Sequence, residues 1–181
     1  AGTISGSGTV RQNGSGTLIL TATNSYTGGT DVNAGTLLAN NGSGSATGSG
    51  AVSVQSGATL GGDGAISGSV FVNSGGFLAP GSSPGDLTVG SITFNAGSTF
   101  RVELGGLTPG TQHDVLNVTG AASLNGTLDV SLFGAYVPNV GDTFTILTAG
   151  SRTGTFAALS GNGIEYSISY GANSVVLTVT A

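Results

Sequence analysis

A chain of 181 residues with 35 glycines, no cysteine and three cations against eight acids has a narrow set of roles open to it. Three scattered arginines (Arg11, Arg101, Arg152) cannot neutralise phosphates, which excludes nucleic-acid and anionic-membrane partners; the missing cysteine excludes disulfides and thiolate sites, and no run approaches the roughly 20 apolar residues that span a bilayer. Because 38% of residues are hydrophobic and only 6% are charged, the chain can bury a core and must clothe it in Ser, Thr, Asn and Gly.

In chain order, Ala1 opens directly in repeat-like sequence, which reads as a mature fragment with its export signal upstream. A loose repeat copy starts at Val10. Four clearer copies start at Val32, Val54, Val72 and Phe94, spaced 22, 18 and 22 residues apart. Each runs apolar residue, amide, small residue, glycine, apolar residue, as in Val32-Asn33-Ala34-Gly35-Thr36-Leu37. Around them apolar and small polar residues alternate, as in Val52-Ser53-Val54 and Ile92-Thr93-Phe94, the period of a strand with one buried face. Gly57, Gly75 and Gly97 mark the corners between strands. The tract Gly42 to Gly50 is expected to leave the stack as a flexible loop. Asn33, Gln55, Asn73 and Asn95 recur at one position; they either form an amide ladder along the stack or simply suit a turn. Phe71 stands where the other copies have Ser53 and Thr93, so it is a candidate contact point unless a loop covers it.

After residue 105 the pattern loosens. Gly105 to Gly110 reads as a turn carrying Pro109, and strands follow over Val115 to Val118, Ala121 to Leu132 and Thr143 to Thr148. Ile164, Tyr166, Ile168 and Tyr170 alternate with polar residues, then a turn and Val175, Leu177 and Val179 follow: an amphipathic antiparallel hairpin. One coil of such a repeat cannot bury its own apolar residues, but stacked coils can. The expected fold is therefore all-β: a single-stranded parallel β-helix of about eight coils over 1–160, clearest over 10–104 and irregular over 105–160. The hairpin at 161–181 would cap the end.

No chemistry emerges from the polar residues. The eight acids are spread out, and Asp63, Asp86 and Asp142 each follow a glycine at a turn. Arg101 and Glu103 share one strand face, but a cleaving pair would need a further acid beside them. His113 next to Asp114 is the only histidine, too few for a zinc site, and reads as an exposed turn or strand-start residue. Gly61-Gly62-Asp63-Gly64 does not recur as a calcium repeat does. No catalytic, metal or cofactor residue is assigned, and no enzyme is expected.

The segment Gly16-Thr17-Leu18-Ile19-Leu20-Thr21-Ala22-Thr23-Asn24-Ser25-Tyr26-Thr27-Gly28-Gly29-Thr30-Asp31-Val32-Asn33-Ala34-Gly35-Thr36-Leu37 closely resembles the autotransporter-associated β-strand repeat, G-x-L-x-L-x-x-x-N-x-Y-x-G-x-T-x-V-x-x-G-x-L. Leu78-Ala79-Pro80-Gly81-Ser82-Ser83-Pro84-Gly85 resembles the turn between such coils, and Asp114 to Gly120 resembles their later coils. The resemblance implies a right-handed β-helix exported to the bacterial surface or beyond. The expected role is structural or adhesive: a stalk, spacer or fibre subunit whose partners are further copies of itself, stacked end to end, or surface glycans. The alternative is a module that binds or cleaves polysaccharide.

Overall fold

The computed structural model describes residues 2–181, and among these it is strand and turn with no helix. The chain winds through seven coils, each contributing two strands. Coil one holds β1 (Val10–Gln12) and β2 (Thr17–Leu20); coil two, β3 (Thr30–Val32) and β4 (Thr36–Ala39); coil three, β5 (Val52–Val54) and β6 (Thr59–Gly62). Coil four holds β7 (Ala65–Val72) and β8 (Phe77–Pro80); coil five, β9 (Asp86–Phe94) and β10 (Thr99–Leu104); coil six, β11 (Val115–Leu124) and β12 (Thr127–Leu132); coil seven, β13 (Thr143–Gly154) and β14 (Ala158–Gly161). The odd strands of these coils stack as one parallel sheet and the even strands as a second. The extra residues of the later coils lie in the connections 105–114 and 133–142 rather than in an eighth coil.

Register is strict along the columns, because a one-residue slip would turn every buried side chain outward. In the first sheet Val32, Val54, Val72, Phe94 and Leu124 stand in line, all buried. In the second, Leu18, Leu37, Leu60, Leu78, Phe100, Leu128 and Leu159 do. Each fully buried Val or Leu is worth about 1.5–3 kcal/mol. Coils five to seven add an aromatic cluster, Phe94, Phe100 and Phe156, with ring centroids 5.4–5.9 Å apart.

Two kinds of glycine shape each coil. Gly57, Gly75 and Gly97 turn the first sheet into the second with φ of 79°, 75° and 80°, the left-handed region that other residues avoid. A second set lies where the first sheet folds along its length. Its register breaks between Ile66 and Ser69 and between Val118 and Ala121, on either side of Gly68 and Gly120. Gly28, Gly50, Gly68, Gly90, Gly120 and Gly150 stack there, and a Cβ on any of them would run into backbone of the coil below. Close approach, and not backbone dihedral, demands glycine at this fold line.

The Gly42 to Gly50 tract is not a free loop. Ser45, Ala46 and Thr47 are buried, the Asn24 amide donates to the Ser45 carbonyl at 2.8 Å and the Ala46 amide to Ala65 at 2.8 Å. Small residues let this side of coil two pack as a rung without a regular strand. Asn24 pins it: its Oδ1 accepts from Ile4 N at 2.7 Å and its Nδ2 donates to Ala46 O at 2.6 Å, one side chain spanning three levels.

The end hairpin is β15 (Tyr166–Tyr170) and β16 (Ser174–Val179), with β16 antiparallel to β13. Val175, Leu177 and Val179 continue the buried columns. Arg152 fastens it, donating to Gly171 O at 2.7 Å and lying over the Tyr170 ring. The hairpin covers only the first sheet. The second ends at β14, whose core-facing Leu159 is left 40% exposed.

Candidate functional site

The outward positions carry polar ladders. Asn33 Nδ2 donates to Asn13 Oδ1 at 2.7 Å, Asn73 Nδ2 to Gln55 Oε1 at 3.2 Å and Asn95 Nδ2 to Asn73 Oδ1 at 3.0 Å. Among the described residues no bond joins Asn33 to Gln55, so these amides form two short runs. A separate ladder joins Asp86, Asn117 and Thr148 through two 2.6 Å bonds. Phe71 stands between Ser53 and Thr93 and is 38% exposed.

The side chains with chemical potential gather on the second sheet. Register places Arg101 beside Asp129 and Glu103 beside Ser131, all facing outward. The turn after β8, Gly81 to Ser83, overhangs them and closes a cleft of about 350 Å³. Leu38, Ala79 and Pro80 supply its apolar wall, and Asp114 reaches it from the strand entry of β11. The guanidinium carbon of Arg101 lies 3.7 Å from the centre of the Phe77 ring. Sequence spacing put Arg101 and Glu103 on one face. It held no sign that Asp114 and Asp129 would join them, since those come from other coils.

His113 is not an exposed turn residue: both it and Asp114 are 1% exposed. The connection 105–112 folds back on β10, with Gly105 N donating to Gln112 O at 2.6 Å, and so buries both side chains. His113 packs edge-on to Phe144, and its Nδ1 meets Gly106 O at 3.1 Å. Burial lowers its pKa, opposed in part by the backbone of Gly106 and Thr145. Asp114 points the other way. Its two oxygens accept from Gly85 N and Glu103 N, both at 2.8 Å, tying the overhanging turn to β10. Burial raises its pKa to about 7 against those two amides, and the charges of Glu103 and Asp63 push the same way.

The two neighbours therefore give opposite pH dependences. Asp114 holds its proton more tightly folded than unfolded, so its contribution is fully present below about pH 4 and is lost as pH rises through about 7. His113 binds its proton less tightly folded, so its cost appears as pH falls below 6.5. Urea midpoints from pH 4 to 8 are expected to fall with rising pH in the wild type, with the fall lost in Asp114→Asn. An unchanged slope in that variant would remove Asp114 as its source.

Stacked parallel coils, a sparsely charged polar exterior and a hairpin closing one sheet together define a parallel β-solenoid. Residues 10–39 match the family model of the passenger-associated-transport-repeat. The chain is 49% identical over 134 residues, 71% of its length, to the adhesin BmaC autotransporter of Brucella suis biovar 1 (strain 1330). The match spans 4% of that protein's length. Residues 10–39 thus carry a passenger-associated-transport-repeat, and over most of its length the chain is similar to a short stretch of an autotransporter adhesin.

Proposed function

We propose that this chain is an exported, adhesive segment of a passenger stalk at the bacterial surface, without catalytic activity. What supports the reading is its likeness to a stretch of an adhesin, carried on a rod with a hydrated, nearly uncharged exterior. Such a surface resists non-specific ionic capture and leaves recognition to a few local features, of which Phe71 and the cleft are the candidates. The test is display on a non-adherent bacterium over an epithelial monolayer. Several-fold more attached cells are expected than with a β-solenoid of equal length from a non-adhesive protein; equal attachment would leave only a spacer role.

Self-stacking is a finer form of this reading. The free edge of β14 and the exposed Leu159 support it, while the two extra strands of the hairpin oppose flush contact with a second copy. Sedimentation velocity at rising concentration decides it: growth beyond the 17.3 kDa monomer supports stacking, and a single unchanged species removes it.

A further inference from the structure

We propose that the cleft between the turn Gly81–Ser83 and strands β10 and β12 binds one neutral sugar residue of a surface glycan. The proposal rests on the adhesive reading above and gives it a ligand class.

The three arginines differ in what they hold. Arg11 pairs with Asp31 at 3.0 Å, and Arg152 holds the hairpin. Arg101 alone, among the described residues, has neither a carboxylate within ion-pair distance nor a hydrogen bond, and the Phe77 ring beneath holds it at the cleft. The carboxylates divide similarly. Asp114 is filled by two backbone amides, and Asp129 accepts from Ser160 Oγ at 2.6 Å. Glu103 is left with its side chain unbonded. The cleft therefore offers a ligand one uncommitted donor set and one uncommitted acceptor, two residues apart on one strand, with Ser131 beside them.

That set suits vicinal hydroxyls, one accepting from the guanidinium and one donating to the carboxylate. Leu38, Ala79 and Pro80 offer an apolar wall to the C–H face of a pyranose ring. The volume of about 350 Å³ is at the small end of ligand sites and suits a single sugar unit. Three acids around one arginine disfavour an anionic sugar. A metal fits poorly, since no three acid or histidine groups among the described residues are placed to hold one.

The test is an amide NMR titration of the whole chain with methyl glucoside, methyl galactoside and methyl mannoside. N-acetylneuraminic acid serves as the anionic probe and glucosamine as the cationic one. At least one neutral glycoside is expected to shift the amides of residues 101–103 and 129–131. Binding should weaken at least tenfold in Glu103→Gln and in Arg101→Gln, and vanish in Ser131→Trp, which fills the cleft from an exposed position. Ser123→Ala, at an exposed position on the other sheet, should bind as the wild type does. No localised shift with any neutral glycoside, undiminished binding in a folded Ser131→Trp, or tighter binding of either charged probe would overturn the proposal. The adherence assay separates it from the adhesive reading. Attachment that survives Ser131→Trp while sugar binding is lost leaves adhesion standing and removes the cleft as its cause, and sugar binding without attachment does the reverse.

Discussion

Gly90→Ala is expected to destabilise the protein by about 3 kcal/mol or more, the upper end for overpacking against a surface that cannot yield. The new methyl would overlap the carbonyl oxygen of Ser67, which lies in the register break where coil five passes over coil four. Nothing flexible stands between them, so the clash must push the coils apart or distort the fold line. Gly57→Ala is the control. Its Cβ would meet nothing, and only the left-handed φ of 79° is strained, at a cost of about 1–2 kcal/mol. Urea unfolding followed by far-ultraviolet circular dichroism checks both. If Gly90→Ala proves no worse than Gly57→Ala, the fold line is not the tight contact described.

Phe100→Ala should cost about 3–5 kcal/mol, because a large ring leaves the middle of a column that cannot collapse onto the gap. Phe94 and Phe156 flank it, and Leu78 and Leu128 lie one rung to either side. A solenoid is held by nearest-neighbour contacts, so a hole in coil five weakens the joint between the early and late coils. The expected signature is a split melt, with hydrogen exchange in coils one to three less affected than in coils five to seven. A uniform loss of protection throughout would mean that the stack unfolds only as a unit.

The coils were legible because each repeat copy carries the same period-two alternation and a glycine at the same corner. Val32, Val54, Val72 and Phe94 announce one column by their spacing alone. The fold-line glycines were illegible for a physical reason: a glycine needed for close approach looks the same as one needed for a turn, and Gly68 and Gly90 sit inside strands. The Gly42 to Gly50 tract misled because small polar residues usually signal a loop, whereas here they fit a rung too narrow for side chains. His113 misled because its surroundings are set by a connection that folds back, which no periodicity records. The cleft draws Arg101, Asp114 and Asp129 from different coils, and only the register of the stack brings them together.

The strands lie across the rod, so their ladder bonds point along it. A tether pulling the two ends apart would load those bonds in opening and not in sliding, and they would yield one rung at a time. Each coil that peels off exchanges a single rung of roughly 4.8 Å for slack chain at about 3.3–3.6 Å per residue. Under tension the molecule would pay out length gradually, as a shock absorber does, and would rewind when the load is released.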